Sequence, residues 1–249
     1  MNAPVLLDVQ GLRKRFGGVV ATDGVDLQVR AGEVHALIGP NGAGKTTLVS
    51  QLAGQLAPDA GRIVFDGEDI TTRSAHERAR RGLARSFQIT RLFRSFGVLE
   101  HLALALQATD GSSLRAWRPV REERALFDRA GALLPLLGLE AQADATIDQL
   151  SHGQRRALEV GMAVATQPRL VLLDEPMAGM GPDESVRMEQ LIDRLRAQTT
   201  LLLIEHDVEA VFRLADRVSV LVSGQVIASD TPDAVRRHAQ VIGAYLGQE

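Results

Sequence analysis

Cysteine is absent from these 249 residues, which excludes disulfides and thiolate metal sites and suits a reducing compartment. Lysine is nearly absent: of 28 basic residues, only Lys14 and Lys45 are lysine, and the rest are arginine. A position that keeps lysine against such a bias has use for a compact ammonium rather than a planar guanidinium. Long apolar runs are missing too. Those present, such as Leu201 to Ile204, are far too short to span a bilayer. The start, MNAPVLLDVQ, lacks the cationic run and apolar stretch of a signal peptide. A net charge of -3 and a pI near 6.1 provide no global basic field for nucleic acid or anionic lipid, so no nucleic-acid partner is expected. A cytosolic chain that serves a membrane only by docking to it fits these absences.

What is present is enough apolar residue, 45%, for a full core. Short β-type runs come first: Leu6 to Val9, Val25 to Val29 and the nearly unbroken apolar Val34 to Ile38. Thr46 to Leu56 reads as a helix, and Arg62 to Phe65 as a strand closed by the Asp66-Gly67 turn pair. From about Ser74 to Ala165 the periodicity turns helical, interrupted by a polar excursion from Thr109 to Glu123. Strands return at Leu170 to Leu173 and Leu201 to Ile204, followed by a hairpin-like pair around Ser223-Gly224. Pro182 opens the helix between the first two. Strands alternating with helices predict an α/β fold with a parallel sheet covered on both faces.

The strongest chemical signal is Gly39-Pro40-Asn41-Gly42-Ala43-Gly44-Lys45-Thr46-Thr47, the G-x-x-x-x-G-K-[ST] pattern between an apolar strand and a helix. Its glycines let backbone N–H groups curl around phosphate oxygens, Lys45 reaches the β and γ phosphates, and Thr46 ligates Mg²⁺. The strand Leu170 to Leu173 ends in Asp174-Glu175, at the carboxyl end where parallel-sheet ligands collect. There Asp174 is suited to the Mg²⁺ shell and Glu175 to polarising a water for attack on the γ phosphate. Leu150-Ser151-His152-Gly153-Gln154 opens a helix and admits two readings. Ser151 and Gln154 are spaced as a capping box, which needs no ligand, and a glycine-flanked helix start is also an anion site. The arginines from Arg73 to Arg94 read as a solvated helical face, and His35, His76, His101 and His238 show no metal-ligand spacing.

In this order the motifs resemble the nucleotide-binding subunit of ABC transporters over essentially the whole chain, with LSHGQ in the place of the family's L-S-G-G-Q. The resemblance implies a P-loop NTPase core with a parallel sheet, an N-terminal antiparallel β part and a helical insert. The core would comprise residues 1–88 and 166–249, and the insert 89–165. It implies ATP and Mg²⁺ as cofactors. Phe16 would stack on adenine, and Gln88 would join the core to the insert, taking part in catalysis and the Mg²⁺ shell. His206 would contact the γ phosphate, and Ala178-Gly179-Met180 would lie beside a dimer partner. Ser151, Gly153 and Gln154 would then face the nucleotide of a second cassette, identical or paralogous. Two departures stand out: His152 for glycine, and Met177-Ala178-Gly179-Met180-Gly181 after Pro176 rather than the commoner S-A-L-D type.

Phe16-Gly17-Gly18, the insert from Phe87-Gln88 to Leu150, the AGMGP segment, Glu205-His206-Asp207 and the ending Val241 to Gly247 are similar to the ATPases of branched-chain amino-acid importers. Urea importer and lipopolysaccharide export ATPases have similar endings. Such an ATPase sits on the cytoplasmic face of the inner membrane against transmembrane permease subunits and depends indirectly on a periplasmic binding protein. DNA-repair members would carry a long heptad coiled coil and ribosome-associated members two cassettes. Neither is present. A regulator without turnover would lack the glutamate after Asp174.

Overall fold

A computed structural model describes residues 3–86, 93, 95–108 and 124–244. The chain opens with two long antiparallel strands, β1 (Val5–Phe16) and β2 (Val19–Arg30). Phe16 pairs with Val19, so Gly17 and Gly18 form a two-residue hairpin turn. With β4 (Ala60–Phe65) and β5 (Glu68–Asp69) they build an antiparallel sheet of order β2-β1-β4-β5.

The second sheet holds β3 (Val34–Ile38), β6 (Leu83–Arg85), β7 (Leu170–Asp174), β8 (Thr200–Ile204), β9 (Arg217–Val222) and β10 (Gln225–Asp230). Its order is β10-β9-β3-β8-β7-β6. All its pairings are parallel except the β9–β10 hairpin, which turns at Ser223 and Gly224, both at positive φ. β3, β7 and β8 are buried at every position, as strands covered on both faces must be.

Side chains alternate across that sheet. Val171 and Leu173 of β7, with Leu201 and Leu203 of β8, join the core formed by α3 (Val98–Gln107), α4 (Arg124–Leu137), α5 (His152–Ala165) and α6 (Pro182–Arg196). Leu170 and Leu172, with Leu202 and Ile204, face the opposite core beneath α1 (Lys45–Leu52) and the antiparallel sheet. Val218 and Val220 pack with α7 (Val208–Leu214), α8 (Pro232–Arg236) and α9 (Ala239–Ala244). The phosphate-loop helix is thus clamped between two sheets.

Several expectations need correction, the first being that β1 and β2 run well beyond Leu6 to Val9 and Val25 to Val29. The helical stretch from Ser74 contains only the short α2 (Ala75–Arg80) before β6 adds an edge strand. That strand is three residues long and exists by pairing with β7, a non-local contact that periodicity does not register. α1 stops at Leu52 rather than Leu56, because Gly54 takes φ +74 and turns the chain. The arginine face is not uniformly solvated: Arg78 is buried, and Arg85 is nearly so. The expected boundary at 88–89 lies outside the described residues, and α5 ends at Ala165, beside the other.

Arg78 is an anchor. Its Nη1 donates to the carbonyls of Gln51 (2.7 Å) and Leu52 (2.8 Å) at the end of α1, Nη2 to Thr71 (2.9 Å) and Nε to Arg73 (3.0 Å). Burial lowers its pKa to about 10, so it remains charged at neutral pH. Arg78→Met, similar in volume, would remove the guanidinium from four carbonyls, two of them in buried hydrogen bonds, and is expected to lower unfolding free energy by about 3 kcal/mol in urea titrations. A loss below about 0.5 kcal/mol, the scale of a neutral surface substitution, would mean that these carbonyls are satisfied without it.

Candidate nucleotide site

Between β3 and α1 the loop is forced close to neighbouring backbone. Gly39 has φ +152, and a Cβ there would lie 2.0 Å from the Leu221 carbonyl oxygen; Gly44 has φ +103, and its Cβ would lie 2.1 Å from that of Ala21. Only glycine fits at either position. Gly44 is also the N-cap of α1, which begins with no side-chain cap and no acidic residue in its first turn. The free N–H groups and positive end of the helix are therefore turned to the loop. Lys45, 8% exposed, folds back so that Nζ donates to Gly39 O at 2.6 Å and Pro40 O at 3.1 Å. Burial lowers its pKa, and the carboxylates of Glu175 and Asp174 oppose that shift.

Those carboxylates close β7. Asp174, 1% exposed, accepts a 2.6 Å ion-pair bond from Arg85 Nη2 on neighbouring β6. Glu175 takes φ +47, a left-handed backbone that turns its side chain away from the line of the strand, while its N–H is held by Ile204 O at 2.8 Å. Arg156 of α5 donates to the carbonyls of both Asp174 and Glu175 and pairs with Glu159 at 2.7 Å. The helix opened by the LSHGQ segment is thereby tied to the turn that carries the two carboxylates.

Glu205, at the end of β8, is buried and accepts from the backbone N–H of Met177 (2.9 Å) and of His206 (3.2 Å). His206 itself projects outward, its side chain 59% exposed, with Nδ1 3.7 Å from the Glu205 carboxylate. Phe16 is 51% exposed beside exposed Val19 and Val20 on the hairpin tip, so it is no core aromatic. The Lys14 ammonium lies 5.8 Å from its ring centroid and pairs with Asp59 at 2.7 Å. Gln88 lies outside the described residues.

The LSHGQ segment forms the capping box its spacing suggests. Gln154 N–H donates to Ser151 Oγ at 3.3 Å, and Ser151 N–H to Gln154 Oε1 at 2.9 Å. The His152 ring bridges to Ala178 O at 3.1 Å, joining this segment to the loop after Pro176. Lys45, Asp174 and Glu175 are thus brought together, whereas Ser151 and Gly153 are bonded to a carboxylate on α6. Arg156 and Glu184 escaped sequence reading, Arg85 read only as part of a solvated face, and Glu205 figured only within the Glu205-His206-Asp207 segment without a role of its own. Only Glu205 carried a signal there, as an acid at a strand's carboxyl end beside His206.

Burial raises the Glu205 pKa, and Glu175 adds to the effect, against the two N–H bonds that lower it. A carboxyl raised in the folded state stabilises below its unfolded pKa and loses that contribution as pH climbs through its folded pKa. Glu205→Gln keeps an acceptor for Met177 N–H without the charge. Thermal melts should therefore show the variant gaining on the parent as pH rises from about 4 toward 8, on the span of perturbed carboxyl values. A variant that instead loses ground with rising pH would place a stabilising charge at this position.

Comparison with known proteins follows the same lines. Residues 22–178 match the ABC transporter family model, and residues 225–249 match the model described as branched-chain amino acid ATP-binding cassette transporter. The high-affinity branched-chain amino acid transport ATP-binding protein BraF of Pseudomonas aeruginosa is 39% identical over 255 residues, covering all of both chains. LivG of Escherichia coli, of the same description, is also 39% identical with full coverage. Among solved structures, the ADP conformation of MJ1267, an ATP-binding cassette of an ABC transporter, superposes with a TM-score of 0.87 at 30% identity, covering 99% of this chain and all of that one. The chain belongs to the ATP-binding cassette (ABC) transporter family.

Proposed function

We propose that this chain is the ATP-hydrolysing subunit of an importer for branched-chain amino acids, docked on permease subunits at the cytoplasmic face of the inner membrane. The observation that carries the ATPase reading is the buried Lys45 ammonium, parked on two loop carbonyls and facing Asp174 and Glu175. The substrate class rests on the names of BraF and LivG and on the match of residues 225–249. Among the described residues no helix is long and apolar enough to cross a membrane, so translocation falls to other subunits, with a periplasmic binding protein delivering the cargo to them.

Triphosphate entering the loop takes Lys45 from Gly39 O and Pro40 O and meets the uncapped start of α1, with adenine against Phe16. Mg²⁺ suits the oxygen donors here, the Thr46 hydroxyl and the Asp174 carboxylate, with Gln88 joining them only by family resemblance, and when bound it would neutralise phosphate charge. Arg85 holds Asp174 in place. Glu175 activates the attacking water, and His206, already turned outward, reaches the γ phosphate. Ser151, Gly153 and Gln154 of a second cassette complete the site. Nucleotide-driven closure is passed from the core, residues 1–88 and 166–249, to the helical part, 89–165, and on to the permease.

Glu175→Gln preserves size and removes the base, so steady-state ATP turnover should fall about a hundredfold or more while ATP binding persists. Turnover at the parental rate in a folded variant would place the base elsewhere. For the substrate class, ATP hydrolysis by the complex with its permease and binding protein, reconstituted in vesicles, should rise with leucine or isoleucine and not with urea. Stimulation by urea alone would overturn the assignment.

A further inference from the structure

The donors at the start of α5 are already engaged within the single chain. Ser151 Oγ–H donates to Glu184 Oε1 at 2.7 Å, and Gly153 N–H donates to the same oxygen at 3.0 Å. Glu184 occupies the first turn of α6, 31 residues beyond Gly153, and its carboxylate lies across the space in front of that glycine. A Cβ placed on Gly153 would be 2.9 Å from Glu184 Cδ. The Ser151 hydroxyl above all, then the Gly153 N–H, holds the Glu184 carboxyl below the usual range, so it is ionised at neutral pH. An anionic oxygen bound by one hydroxyl and one backbone N–H at a helix start presents the same chemistry as a phosphate oxygen. Two anionic oxygens cannot share these donors.

We propose that Glu184 is an internal competitor for the nucleotide: its carboxylate occupies Ser151 and Gly153 in the single chain and must leave before ATP held by a second chain can engage them. This rests on the reading that Ser151 and Gly153 face a partner's nucleotide. Glu184 lies at the surface end of α6, and Arg187, one turn further along that helix, is placed to receive the displaced carboxylate. Closure is then an exchange of one anion for another. The ATP concentration at which two chains close is set partly by Glu184, not by the phosphate loop alone. In this exchange Glu184 is a positioning residue that acts through Ser151 and Gly153 and touches no nucleotide.

The test uses the full chain carrying Glu175→Gln, titrated with ATP and followed by sedimentation, with ATP binding at low protein concentration measured in parallel. Adding Glu184→Ala should lower the ATP concentration for half-maximal dimer about tenfold, the worth of a charge-assisted hydrogen bond. Glu184→Gln should shift it less, and neither should change ATP binding by the single chain. Asp183→Asn removes a charge from the same helical turn without touching these donors and should shift nothing. An unchanged or higher requirement for ATP in Glu184→Ala would overturn the competition. So would an equal shift in Asp183→Asn, which would reduce the effect to general repulsion. If neither the Glu175→Gln chain nor any of these variants dimerises with ATP while each still binds it, the shared-nucleotide reading fails first and the competition with it.

Discussion

The constraint on which the rest of the structure depends is a buried ammonium. Lys45 is all but removed from water, and its charge is tolerated because two loop carbonyls accept from it and two carboxylates lie opposite. That balance requires β3 and β7 to end at the same edge of one sheet, which the parallel order with β8 between them achieves. It also requires a loop whose backbone passes within contact of Leu221 and Ala21, which only Gly39 and Gly44 allow. The arrangement is poised rather than complete, because phosphate oxygens offer the ammonium better partners than neutral carbonyls do.

From that centre the charges are linked outward by arginine. Arg85 neutralises Asp174 from the neighbouring strand, and Arg156 carries α5 to the backbone of the carboxylate turn. His152 joins the same helix start to Ala178, and Glu184 binds it to α6. A shift of the carboxylate turn therefore has short, hydrogen-bonded routes to the helices that pack together with α5. The departure of His152 from the family's glycine has a structural use here, since glycine has no side chain to reach Ala178 O.

Much of this was legible before the structure. The phosphate loop, the Asp174-Glu175 strand end and the Ser151–Gln154 capping box are local patterns whose spacing carries their geometry, and each lies in the expected element. What escaped were partners far apart in sequence. Arg85 and Asp174 are 89 residues apart, and Ser151 and Glu184 are 33 apart. Arg78 read as one more surface arginine because burial depends on how α1 and α2 pack, not on neighbours in sequence. β6 was lost inside a helical reading because three residues carry no period, and the hairpin ending at Phe16 proved longer than its apolar runs, its outer half being held by cross-strand pairing.

The central claim is that Lys45 is a compact cation shared between the loop carbonyls and ATP, a task that a guanidinium cannot perform in that space. The most direct measurement is calorimetric titration of ATP into folded Lys45→Arg and Lys45→Ala chains, alongside the parent. The account predicts that both variants lose affinity by about a hundredfold, on the scale of hydrogen bonds to charged groups, and that arginine restores little despite its charge. Parental affinity in Lys45→Arg would contradict it, because any buried positive charge would then suffice.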